Sequence, residues 1–285
     1  MLLPASILLL IFHYFPMAGL VMAFQNYNIG KGIMHSKFVG LDNFIYLLML
    51  PDTTRIVYNT FFISIMKIVG LIIIALVFAL LLNELGKVWF KKAVQTITYL
   101  PYLISWVVLS GILLDFFSPT DGIVNQLLNL FGVKSIYFFG EPTLFPYMMA
   151  FTDIWKNIGF NTIILLAALT GIDPSLYEAS TVDGAGRWKQ TIHITIPGVA
   201  TMLVLLTVLG MGNILNAGFD QIFNLYSSVV YSTGDIIDTA VYRMGLANSQ
   251  YSLATAMGLF KSVVSLTMIL IANSLAKKYT GSRIF

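Results

Sequence analysis

Long apolar runs separated by short polar stretches dominate the chain. A helix needs about 20 apolar residues to cross a bilayer, and six windows meet that length: about Leu2–Phe24, Asn59–Leu82, Val94–Phe117, Phe145–Ile172, Pro197–Ala217 and Leu253–Ala276. The pattern therefore predicts six transmembrane helices and an all-α integral membrane protein. The first window holds Pro4 and Pro16 and lacks a basic leader and a small-residue cleavage site, so it reads as a retained span and not a signal peptide. Shorter helices are expected between the spans. One runs from Leu41 to Leu50 and ends at Pro51, one covers Asp121–Leu128, and one lies within Thr233–Arg243 after a capping Thr or Ser. With no linker and no clear repeat, residues 1–285 read as one domain.

The polar stretch Asp173–Trp188 interrupts this pattern and carries capping signals of its own. Asp173 followed by Pro174 is an N-cap with proline in the first helical position. Gly184 and Gly186 supply the left-handed conformation that stops a helix. A second short helix, about Trp188–Ile194, should end before Pro197.

Composition supports the membrane reading: 58% of the residues are hydrophobic and 10% charged, against about 25% charged in soluble domains. Lysine and arginine then orient the chain. Segments 84–93, 173–196 and 277–285 hold Lys87, Lys91, Lys92, Arg187, Lys189, Lys277, Lys278 and Arg283, eight in roughly 43 residues. The alternate segments 25–58, 118–144 and 218–252 hold Lys31, Lys37, Arg55, Lys134 and Arg243, five in roughly 96. The first set, with segment 173–196 and both termini, is expected in the cytoplasm.

Several chemistries have no residues to carry them. There is no cysteine. No G-x-x-x-x-G-K-[ST] loop is present, since Gly30-Lys31 and Gly86-Lys87 are followed by Gly32 and Val88. His13, His35 and His193 fit no metal-ligand spacing, and no G-x-S-x-G elbow occurs. Neither catalysis nor a cofactor or metal site is expected in this chain.

Glu178-Ala179-Ser180, three residues, Gly184, nine residues, then Ile194-Thr195-Ile196-Pro197 resembles the EAA signature, E-A-A-x3-G-x9-I-x-L-P, of bacterial ABC-importer membrane subunits. Ser180 replaces the second alanine and Ile196 the leucine. Asp183-Gly184-Ala185, Trp155-Lys156 and Ala167-Ala168-Leu169 resemble the carbohydrate-importer version, as do Gly40-Leu41-Asp42-Asn43-Phe44 and the Asp235–Tyr251 region. The resemblance implies a type I importer permease fold and an oligo- or polysaccharide permease of the bacterial cytoplasmic membrane. It also implies a second, related permease subunit, two ATP-binding subunits that hold ATP and Mg, and an extracytoplasmic solute-binding protein. Residues 173–196 would be the coupling segment, with Glu178, Ala179, Ser180, Asp183, Gly184, Ala185, Gly186 and Pro197 against the ATPase.

Ionisable groups inside a bilayer mark interior or wet surfaces. Asp153, Asn157 and Asn161 recur at i, i+4, i+8 beside Trp155 and Lys156, and Asn213, Asn216 and Lys261 lie in or beside later spans. These residues form the expected substrate path, offering amide and carboxylate partners for hydroxyls and flat rings for C–H faces. In the packing alternative the asparagines and Asp153 satisfy one another while Lys67, Lys156 and Lys261 snorkel outward. Three intramembrane lysines against Asp115 and Asp153 also hint at an acidic sugar. The outer residues Asp235, Asp238, Tyr242 and Arg243 are candidates for docking the receptor. Two functional alternatives remain: an importer permease for another solute, and an ion-coupled transporter using Asp153 as its proton site.

Overall fold

A computed structural model describes residues 3–280, with side-chain surroundings through residue 274. The side chains of Lys277 and Lys278, and Arg283 as a whole, lie outside the described residues. Leu3–Phe24, Pro51–Asn83, Arg187–Gly212 and Tyr251–Ser274 are each long and apolar enough to cross a membrane. Two bent pairs meet the same length and composition only when taken together, which gives up to six spans: Val88–Leu103 with Trp106–Phe116 at 106°, and Phe145–Leu169 with Pro174–Val182 at 69°. Among the described residues the only strands are Gln25–Asn26 and Lys37–Phe38, an antiparallel ribbon.

The helix bounds depart from the apolar windows where proline decides them. The second span begins at Pro51, whose missing N–H costs nothing at the first helical position, so helix Pro51–Asn83 runs 33 residues. The window 94–117 is not one straight helix. Pro101 lies near the end of Val88–Leu103, Ile104 is extended, and Ser105 restarts the chain by accepting the Val108 N–H at 3.4 Å.

Pro197, by contrast, stops nothing. Its helix begins at Arg187, widens through a π turn over Thr191–Thr195 and continues to Gly212. The Ile196 N–H donates five residues back, to the Thr191 carbonyl, and the extra residue in that turn relieves the clash a proline ring makes with the preceding turn. Leu3–Phe24 repeats the device, with a π turn over Leu10–Tyr14 placed two residues before Pro16. The expected short helix 188–194 is thus the first turns of a span, and residues 213–217 leave the helix where the window predicted its continuation.

The outer helices Asp42–Met49 and Ile123–Leu130 form close to their predicted positions. The one expected over 233–243 is divided at Asp235. Ile237–Tyr242 starts after Ile236, whose N–H donates to Thr239 Oγ1 at 3.0 Å, so the cap comes from within the helix and not from a preceding Thr or Ser.

Packing concentrates in three apolar clusters. Ile63, Leu109, Phe145, Met149 and Ile222 join the middle spans to the loop after Gly212. Leu47, Ile56, Leu215, Ile237 and Met257 lie under the outer helices. Ala75, Ala79, Leu165, Leu169 and Val199 close the end that carries segment 173–196. Helices Val88–Leu103 and Phe145–Leu169 cross so closely at Gly159 that a Cβ there would lie 2.4 Å from the Thr98 carbonyl oxygen. Residues Leu3–Met17, in contrast, bury nothing, as suits a helix whose solvent is lipid.

Candidate functional site

The unwound segment 213–218 sits between helices Arg187–Gly212 and Phe219–Leu225. Backbone groups freed by such a break need partners, because hydrocarbon offers none. Lys67, buried in helix Pro51–Asn83, supplies one: its ammonium donates to the Ala217 carbonyl at 2.6 Å and, through a short bond, to Gln221 Oε1. Gln221 Nε2 then donates to the Met149 carbonyl at 2.9 Å and to Thr152 Oγ1 at 2.7 Å, joining three elements. Asp153 Oδ1 faces the same ammonium at 3.8 Å. Lys67 therefore turns inward and does not snorkel.

Lys67, Asp153, Asn213 and Asn216 line one pocket of about 140 Å³, together with the buried Ser64 hydroxyl, which has no hydrogen-bond partner among the described residues. Asn216 also borders a larger cavity of about 670 Å³, shared with Phe219, Asp238, Tyr242, Thr255 and Lys261. There Lys261 and Asp238 form an ion pair at 2.5 Å. Beside it Phe219 stacks on Phe223 with centroids 5.1 Å apart, and Tyr242 meets Phe223 at 4.7 Å. Amides, a compensated charge pair and aromatic rings so line two cavities that share Asn216 in their walls.

Other predicted path residues lie elsewhere. Lys156 is buried and spends its ammonium on three carbonyls, Pro101 at 3.0 Å, Tyr102 at 2.9 Å and Ile104 at 2.7 Å. It stands 5.6 Å from the ring centroids of both Tyr102 and Trp106. These carbonyls lie at the break of the bent pair, where a helix end leaves its last carbonyls free. Lys156 thus closes a helix terminus and has no donor left for a sugar acid. Asn157 and Asn161 donate to the carbonyls of Asp153 and Asn157 in their own helix, at 3.0 and 3.2 Å, and Trp155 is exposed on the bundle's outside.

The receptor-docking candidates divide in two. Asp235 is buried, receives both guanidinium nitrogens of Arg243, accepts from Thr239 Oγ1 at 2.8 Å and lends its carbonyl to Asn59. The Arg243 guanidinium also lies 4.7 Å from the Tyr231 ring centroid. That pair locks the loop. Asp238 and Tyr242 face the large cavity instead, and the i, i+4 spacing of Asp238 and Tyr242 was the available signal for it.

At the far end of the bundle, helix Pro174–Val182 stands free. Asp173 caps it by accepting the Ser175 N–H at 2.9 Å, which holds its carboxyl below the ordinary value of 3.8. Gly184 closes it at φ +75°: its N–H donates to Thr181 and the Ala185 N–H to Ser180, at 3.1 and 2.9 Å. Gly186 takes φ −73° and caps the next helix, so only one of the two glycines is left-handed. Gln190 crosses to Ser180 Oγ at 2.9 Å, and Arg187 meets Glu84 at 3.1 Å. The helix buries none of its residues, leaving Val182 89% and the following Trp188 75% exposed. Glu178, Ala179 and Asp183 are exposed as well.

A helical bundle with a polar cavity at an unwound segment, and with a capped, exposed helix at one end, defines a membrane transport subunit. Residues 72–281 match the family described as binding-protein-dependent transport system inner membrane component, and the chain belongs to it. Membership leaves the ion-coupled alternative without support.

Across all 285 residues the chain is 38% identical to Protein LplB of Bacillus subtilis (strain 168), covering 90% of that protein. It is likewise 38% identical to the polygalacturonan/rhamnogalacturonan transport system permease protein YteP of the same strain, covering 89%. A crystal structure of a bacterial ABC transporter involved in the import of the acidic polysaccharide alginate contains a similar chain, at TM-score 0.90 and 39% identity, over 98% of this chain and 94% of that one. The bacterial alginate ABC transporter in complex with alginate pentasaccharide-bound periplasmic protein matches at TM-score 0.91 and 38% identity, over 100% and 95%.

Proposed function

We propose that this chain is one permease of an ATP-driven importer for oligo- or polysaccharides, passing them along the cavities joined at Asn216. The observation that carries this reading is the convergence of Asn216, Lys261, Asp238, Phe219 and Tyr242 on one open cavity. Amide and charged groups there can bond sugar hydroxyls while rings cover C–H faces. Both lysines near the path, Lys67 and Lys261, are charge-compensated, so selectivity for acidic sugar rests on Lys261 exchanging Asp238 for a uronate carboxylate.

The exposed Pro174–Val182 helix would dock on an ATPase subunit, with Leu176, Val182 and Trp188 as the apolar contact and Glu178 as its charge. Two such subunits would bind ATP and Mg, and a second, related permease would close the cavity's open side. The distribution of lysine and arginine supports a cytoplasmic coupling segment and cytoplasmic termini. A solute-binding protein would deliver sugar to the opposite face.

Reconstituting the chain with its co-purifying partners in proteoliposomes tests the reading. ATP-dependent, receptor-dependent uptake of oligogalacturonate or alginate fragments is expected, with Lys261→Gln raising KM for the uronate. A chain that purifies alone and transports on an ion gradient without ATP would overturn it.

A further inference from the structure

A third cavity, of about 590 Å³, opens at the outer rim between the β ribbon, helix Asp42–Met49 and the start of helix Tyr251–Thr280. Asn26, Asp42, Tyr46 and Gln250 line it, and their side chains have no hydrogen-bond partner among the described residues. Tyr27 and Tyr251 meet edge to face across it, with centroids 5.9 Å apart. Ser249 on its wall is, among the described residues, the only non-glycine with positive φ, at 56°. This left-handed residue closes the helical turn that ends at Ala247, and the surrounding structure holds it there. Its neighbours do so: the Gln250 N–H donates to the Met244 carbonyl at 2.8 Å and Ser252 Oγ accepts from the Tyr27 N–H at 2.9 Å.

The rim cavity shares a wall residue with the larger cavity at Asn216. Tyr251 lines both it and the 670 Å³ cavity, and Asn216 lines both that cavity and the pocket at Lys67 and Asp153. From Tyr251 to Lys261 the helix descends about 15 Å at 1.5 Å per residue. The track from rim to inner pocket is longer than a single sugar unit.

The geometry points to the rim cleft as an outer saccharide subsite, which holds the trailing units of a chain whose leading units occupy the cavity at Asn216. This rests on the proposed saccharide path and adds to it a preference for length. Tyr46 and Tyr251 offer ring faces, and Asn26, Asp42 and Gln250 offer unpaired groups for hydroxyls. Only a chain long enough to span both cavities uses them.

The test is uptake by the reconstituted transporter, with alginate pentasaccharide and the alginate disaccharide as probes, for Tyr46→Ala and separately Gln250→Ala. Losing one ring contact should raise the ratio of pentasaccharide KM to disaccharide KM by roughly 2- to 10-fold. An unchanged ratio in both variants overturns the subsite. An equal rise in both KM values with weakened receptor binding also overturns it and makes the cleft a receptor contact. Failure of the unsubstituted transporter to take up either probe or oligogalacturonate would instead sink the saccharide reading beneath it.

Discussion

Lys67 and Asp153 face each other at 3.8 Å from two different spans, and the same lysine holds the Ala217 carbonyl of the unwound segment. A single ammonium therefore balances an intramembrane carboxylate and positions the loop that presents Asn213 and Asn216. Removing one partner of a buried pair leaves the other charge uncompensated, at about 3–5 kcal/mol. Lys67→Met should lower the thermal stability of the purified transporter accordingly, and adding Asp153→Asn should recover part of the loss. Equal stabilities for the single and double variants would show that the pair is not coupled. The chain has no cysteine, so Asn216→Cys gives an unambiguous labelling probe of whether the loop has shifted.

Lys156 makes a sharper distinction between structure and transport. Its three carbonyl partners, Pro101, Tyr102 and Ile104, are the last ones before the 106° break, and each hydrogen bond from a charged donor contributes roughly 1.5–3 kcal/mol. Lys156→Met should destabilise the transporter by more than one such bond while leaving the saccharide KM of the folded fraction unchanged. A raised KM at unchanged stability would return Lys156 to the substrate path.

The membrane class, the six apolar stretches and the capped 173–184 helix were legible because each depends on local pattern: run length, Asp173-Pro174, and Gly184. Proline misled where its effect depends on the preceding turn. Pro197 looks like a stop, but a π turn at Thr191–Thr195 absorbs it, and no residue type advertises that turn. The cavity lining was half legible. Asp153, Asn213, Asn216 and Lys261 stand out because polar groups are conspicuous in apolar runs, whereas their partners depend on helix rotation and on contacts distant in sequence. Lys67 and Asp153 could have been paired from the intramembrane charge rule alone. Lys156 could not, since the carbonyls it caps exist only because the chain breaks at Ile104.

The Asp173 cap should be pH-dependent. Its carboxyl is held below the ordinary value of 3.8 by the Ser175 N–H. A depressed folded value means the cap's contribution is complete above the ordinary value and is lost as pH falls through the folded one. Hydrogen exchange of the amides in 174–182 should therefore stay slow, relative to the intrinsic rate, at neutral pH and lose protection in acid below the ordinary carboxylate range. Asp173→Asn should remove that acid dependence, and protection that still falls with acid in this variant would assign it to another group.

Gly184 and Glu178 separate the shape of the coupling segment from its contact. At φ +75° a side chain costs about 1–2 kcal/mol, and nothing lies within 4 Å of where the Gly184 Cβ would stand, so the penalty is purely conformational. Gly184→Asp should loosen the turn that sets Arg187 and Gln190 against the helix, while Gly184→Asn, better tolerated in this conformation, should retain more function. Glu178 is exposed, and its side chain makes no hydrogen bond or ion pair among the described residues, so Glu178→Ala should leave stability unchanged. Both Glu178→Ala and Gly184→Asp are expected to abolish uptake and uncouple ATP hydrolysis from sugar delivery, with saccharide capture by the receptor intact. The measurement is receptor-stimulated ATPase activity beside uptake in the same proteoliposomes. Full transport by both variants would reduce this segment to a loop between two spans, and loss of uptake only in Gly184→Asp would mean that turn geometry, and not the carboxylate, carries the coupling.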